Sequence, residues 1–104
     1  MVLVAFTGEK LLGSAMLVVD DMDTRTELSP WLAGVFVAVE SRKQGIGAAL
    51  VRRVIVDAWS LGIDRLYLYT LNSEQFYSHL GWSVVERTKY RGVDIVVMSL
   101  DCAV

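Results

Sequence analysis

The residues with the clearest chemical potential are Arg42-Lys43-Gln44-Gly45-Ile46-Gly47-Ala48, placed where an apolar run meets a helix-forming stretch. The first turn of a helix carries backbone N–H groups without internal partners, and the macrodipole adds partial positive charge there. A phosphate group can fill that position. Gly45 and Gly47 lack side chains that would hold an anion away from those amides, and Arg42 and Lys43 add positive charge at the mouth. A second reading stands beside this one: an ordinary strand-to-helix turn whose glycines relieve crowding. Two other nucleotide loops can be tested and fail. No Gly-Lys-Ser/Thr follows, and Leu50 stands where a dinucleotide fingerprint needs its third glycine.

The elements that must position this loop follow from periodicity and turn residues. Val2 to Phe6 and Leu11 to Val19 read as a hairpin around Gly8-Glu9-Lys10. A polar loop runs from Asp20 to Pro30. Trp31 to Val39 is apolar almost throughout and reads as a strand covered on both faces, with Gly34 marking a bulge or close approach. Gln44 to Leu61 is the clearest helix, with Ile46, Leu50, Val51, Val54, Ile55, Ala58 and Trp59 on one apolar face and Gly62 as the stop. Arg65 to Thr70 is a fourth strand, its tyrosines on one face and its leucines on the other. A short helix spans about Ser73 to Leu80, capped by Asn72 or Ser73 and ended by Gly81. Trp82 to Arg87 and Asp94 to Leu100 form a final antiparallel pair. The predicted class is α+β: a mixed, mostly antiparallel central sheet with flanking helices, in a single domain over residues 1–104.

With this order, the sequence resembles the GNAT superfamily of N-acetyltransferases, in a short form lacking the usual N-terminal strand and helices. Val37-Ala38-Val39 before Arg42-x-x-Gly45-x-Gly47-Ala48 is similar to the family's acetyl-CoA signature. Phe76-Tyr77-Ser78-His79-Leu80-Gly81-Trp82 is similar to its second motif, and the stretch from Asp20 to Ala33 is similar to one branch. The resemblance implies an acyl-CoA N-acyltransferase fold with a V-shaped opening between the third and fourth strands. It implies that pantetheine pairs with Val37 and Val39 and that pyrophosphate sits on amides from Gln44 to Ala48. It also implies an oxyanion donor N–H near Val37 and Tyr77 as the general acid that protonates the leaving thiolate.

Other roles stay open. Asn72 matches the neighbourhood of a cofactor-contacting asparagine, but helix capping explains it equally well. The position nearest the family's glutamate base is Ala33. Glu27, Asp21, Asp23 and Glu40 are the available carboxylates, and each reads as solvated loop. A water chain or prior deprotonation of the amine would also serve. His79 reads as an exposed helix histidine.

Bulk properties bound the rest. The chain has 104 residues, a net charge of −2 and 54% hydrophobic residues. The charge argues against a broad nucleic-acid footprint. The apolar excess in so short a chain fits a homodimer. No stretch is long enough for a membrane-spanning helix and no signal peptide is evident, so a cytoplasmic location is expected. Cys102 is the only cysteine and reads as a small apolar residue, and no metal site is suggested. The expected function is acetyl transfer from acetyl-CoA to an amine of a small molecule or peptide. The alternatives are a non-catalytic acyl-CoA-binding or dimeric interaction module and, more simply, a structural domain.

Overall fold

The computed structural model describes residues 2–7, 10–38 and 45–102. The elements are β1 (Val2–Thr7), β2 (Lys10–Val18), β3 (Trp31–Val37), α1 (Ile46–Ser60), β4 (Arg65–Thr70), α2 (Glu74–His79), β5 (Ser83–Tyr90) and β6 (Val93–Asp101). They match the expected order, and the bounds of β4 match the expectation residue for residue. The strands form one six-stranded sheet in the order β1-β2-β3-β4-β6-β5. Only β3 and β4 pair in parallel; the other neighbours are antiparallel. The last hairpin folds so that β6 joins β4 and β5 takes the edge.

Alternation along β4 builds a core on each face. Leu66 and Leu68 join Leu50, Val51, Val54 and Ala58 of α1. Tyr67 and Tyr69 pack on the opposite face with Trp31, Met22, Tyr90 and Val97. The loop between β2 and β3 covers part of that second face, where Met22 is buried and the Trp31 indole N–H donates to the Leu28 carbonyl at 2.7 Å. Arg25 ties the same loop to Glu86 of β5.

Two expectations change. β3 is buried on both faces only at Trp31 and Leu32, because the loop reaches no farther; Phe36 stays 47% exposed. Trp59 is 43% exposed rather than part of the α1 core stripe, which ends with Ala58 at the helix's last turn.

Both helices end in the same way. The Gly62 N–H donates to the Trp59 carbonyl at 3.0 Å and the Ile63 N–H to the Ala58 carbonyl at 3.0 Å. Gly81 donates to Ser78 at 3.1 Å and Trp82 to Tyr77 at 3.1 Å. These are paired Schellman bonds, with glycine in the left-handed region at φ 82° and 98°.

Candidate active site

A bulge in β3 opens the sheet. Gly13 and Ser14 pair with Val37 and Phe36, whereas Met16, Leu17 and Val18 pair with Ala33, Leu32 and Trp31. Gly34 and Val35 therefore stand opposite Ala15 alone. Gly34 takes φ 60°, as the first residue of a glycine bulge does. A Cβ there would lie 2.4 Å from Met16 Cε. The bulge that Gly34 suggested in the sequence is present.

The bulge also resets which peptide groups face which neighbour. The Tyr67 N–H donates to the Pro30 carbonyl at 3.1 Å, so Pro30 faces β4. Beyond the bulge the Ala38 N–H donates to the Leu12 carbonyl at 2.8 Å. Alternation from Ala38 then places the Val37 peptide groups on the β4 side. Among the described residues β3 and β4 share a single register pair, Trp31 with Tyr67. Past it lies a cleft of about 520 Å³, lined by Asp21, Gly34, Val35, Tyr69, Asn72 and Tyr77 among others.

At the far end of β3 stands the start of α1. Gly45 occupies the N-cap at φ 78°, with no side-chain cap and no acidic residue in the first turn. A Cβ on Gly45 would meet nothing within 4 Å. Gly45 itself offers no side chain to the first-turn amides of Ile46, Gly47 and Ala48, and among the described residues no side-chain cap meets them, as an anion site requires. A Cβ on Gly47 would lie 3.4 Å from Val37 and 3.6 Å from Phe76, ordinary contact distances, so the packing of α1 on β3 and α2 does not itself require this glycine. Arg42, Lys43 and Gln44 of the expected loop, with Val39 and Glu40, lie outside the described residues.

α2 delivers Tyr77 to the cleft. The Ser73 N–H donates to the Thr70 hydroxyl at 3.1 Å, which fixes the helix start at the end of β4. Ser73, at the N-cap, makes no side-chain cap bond. Asn72 is exposed on the cleft wall, where its Oδ1 accepts from the Ser73 hydroxyl at 3.3 Å. The Tyr77 ring is held edge-on by Phe76 at 5.0 Å and Trp82 at 6.1 Å. Trp82 reaches it because Gly81 reverses the chain, so the glycine-aromatic pair acts as a clamp on the tyrosine. Burial raises the Tyr77 phenol above its ordinary pKa, which keeps the proton on it at neutral pH. His79 is exposed and its Nδ1 lies 2.7 Å from the Gln75 carbonyl, as an exposed helix histidine would be.

The loop acids separate. Asp23 pairs with Arg91 at 3.2 Å and Glu27 is exposed. Asp21 is not the solvated loop residue the sequence suggested, because the buried Met22 beside it holds it half-buried on the cleft wall. Neither Asp21 nor Val35 was singled out for the cleft by sequence pattern; the bulge at Gly34 was the one available signal for Val35. Among the described residues no group of three or more His, Cys, Asp or Glu could hold a metal, and no helix is long and apolar enough to cross a membrane.

The family model for the GNAT acetyltransferase domain matches residues 1–84. The chain belongs to that family. Solved structures of similar shape agree in fold. An aminoglycoside 6'-N-acetyltransferase complexed with coenzyme A superposes with a TM-score of 0.81 at 17% identity, covering 99% of this chain and 73% of that one. A Bacillus subtilis acetyltransferase in complex with CoA gives 0.72 at 24% identity, covering 94% and 74%. An Elizabethkingia anophelis GNAT acetyltransferase with acetyl-CoA bound gives 0.74 at 18% identity, covering 96% and 74%. No curated protein matches the chain significantly.

Proposed function

We propose that this GNAT domain moves an acetyl group from acetyl-CoA to an amine nitrogen, with Tyr77 as the general acid. The observation that carries the reading is Tyr77 itself: a buried phenol clamped between two aromatic rings on the wall of the β3–β4 cleft. When bound, acetyl-CoA would supply an activated thioester carbonyl.

The chain's own groups divide the remaining work. The uncapped amides from Gly45 to Ala48 would hold the diphosphate, helped by Arg42, Lys43 and Gln44. The peptide groups of Val37 and Val39 would pair with the pantetheine arm, and Asn72 would contact it from the opposite wall. An N–H near Val37 would meet the negative charge developing on the carbonyl oxygen. Tyr77 would give its proton to sulfur as the carbon–sulfur bond breaks.

Thiol release from acetyl-CoA across a panel of primary amines tests the reading. Native protein should release thiol with at least one amine. Tyr77→Phe should lower turnover by ~10²-fold or more while leaving acetyl-CoA affinity nearly unchanged. Thermal stabilisation by acetyl-CoA without any thiol release would favour a non-catalytic acyl-CoA-binding module. Unchanged turnover in Tyr77→Phe would remove the tyrosine from the mechanism.

A further inference from the structure

Four carboxylates are half-buried among the described residues: Asp21, Asp57, Glu74 and Glu86. Three of them face an arginine. Asp57 pairs with Arg53 at 3.1 Å, Glu74 with Arg87 at 2.7 Å, and Glu86 with Arg25. Among the described residues Asp21 has no such partner. The nearest loop cations are committed elsewhere, Arg91 to Asp23 and Arg25 to Glu86. A carboxylate taken part-way out of water without a counter-ion costs stability.

Its position gives that cost a use. Asp21 lines the β3–β4 cleft together with Tyr77. It also lines an adjoining hollow of about 500 Å³ on the outer side, whose walls include Tyr69, Tyr90 and Arg91. Asp21 and Tyr69 belong to both spaces and so stand between them. Tyr69 and Tyr90 meet edge-on at 5.5 Å, forming an aromatic wall beside the carboxylate. A cation in that hollow would thus meet the Asp21 carboxylate on its way to the cleft, beside the Tyr69 ring; the Tyr90 face already carries the Arg91 guanidinium at 5.0 Å.

We propose that Asp21 receives the acceptor's ammonium group and takes up its proton before acyl transfer. The inference rests on the transfer reading above and names the acceptor class as amines that arrive protonated. The protons balance. The ammonium loses one proton to the Asp21 carboxylate, which passes it to solvent. The neutral nitrogen forms the new bond to the acyl carbon and the carbon–sulfur bond breaks, its electron pair leaving on sulfur. Sulfur takes a proton from Tyr77, which is restored by the second proton shed from nitrogen. Burial raises the Asp21 carboxyl above its ordinary value, which makes it a stronger base than an exposed aspartate. The groups facing it are Tyr69 from β4, Tyr90 and Arg91 from the end of β5, and Asp20 and Asp23 of its own loop. Burial first, and then the charge of Asp21, raises the Tyr69 phenol, so that group stays neutral beside it.

The experiment compares native protein with Asp21→Asn using tyramine, spermidine and a peptide with a free amino terminus, all protonated at pH 7, and aniline, which is already neutral. Thiol release gives kcat/KM against pH, and calorimetry gives amine binding without acetyl-CoA. Asp21→Asn should lose ~10²-fold in kcat/KM on the protonated amines at pH 7, shift the acid limb of the pH profile up toward the amine's own pKa, and keep near-native rates on aniline. Equal losses on aniline and the protonated amines, or no loss on either, would overturn the role of Asp21 while leaving acyl transfer intact. Amine binding that depends on Asp21, in a native protein that releases no thiol, would support Asp21 as the ammonium site and remove the transfer reading. Absence of both transfer and Asp21-dependent binding would overturn both.

Discussion

At the scale of the residue, the two groups placed in the cleft by this account share a physical condition. Burial shifts Tyr77 and Asp21 in the same direction, upward, and favours the protonated form of each. For a phenol that preserves an acid; for a carboxyl it makes a stronger base and costs stability. The sign can be followed through pH. With its folded-state pKa raised, Asp21 contributes most favourably when protonated, below the ordinary aspartate range. That contribution is lost as pH rises through the folded-state value. Asp21→Asn should therefore raise the denaturation midpoint at pH 7 relative to native protein, and the gap should close as pH falls below the ordinary aspartate range. Urea unfolding at several pH values checks this. A lower midpoint for the variant at pH 7 would mean that the carboxylate is stabilised by a partner. The inward placement of Asp21 was not legible in Asp20-Asp21-Met22-Asp23, because the pattern of acids reads as solvated throughout. Only the burial of Met22 in the second core decides which neighbour turns in.

At the scale of the element, much was legible because local signals and tertiary packing agree. Gly34 marked the bulge, Gly62 and Gly81 marked helix ends, and the alternation of Arg65 to Thr70 set the two faces of β4. What local pattern could not supply was the insertion of β6 beside β4, since a hairpin pairs equally well in either order. Nor could it show how far the loop covers β3, which left Phe36 exposed. The matched helix stops offer a controlled comparison. Gly62→Ala and Gly81→Ala each force a left-handed backbone on a residue with a Cβ and should each cost about 1–2 kcal/mol. Only Gly81 precedes the tryptophan that clamps Tyr77. Gly81→Ala should therefore lower kcat several-fold more than it changes acetyl-CoA affinity, whereas Gly62→Ala should leave kcat near native. Equal effects on kcat, measured by thiol release alongside denaturation, would separate the clamp from catalysis.

At the scale of the whole molecule, one device links the parts: a single extra residue in β3. It shifts the register of β3 on β2 at Gly34 and Val35, beyond the single position where β3 pairs with β4, and brings Val35 to the wall of the gap. Tyr77 of α2 lines that gap, and α1 begins with Gly45 beyond the far end of β3. The sequence made both ends of this path legible, as a glycine loop and a tyrosine before a glycine-aromatic pair. The middle depends on a register shift, which shows only when two strands are paired. The most direct test of this account is a titration of 15N-labelled protein with coenzyme A, followed by amide chemical shifts. The account predicts saturable shifts concentrated at Gly45, Ile46, Gly47, Val35 and Val37, with Gly62 and the β5–β6 turn at Arg91 and Gly92 unmoved. Saturable binding that leaves those five amides unshifted, or no binding at millimolar coenzyme A, would contradict it.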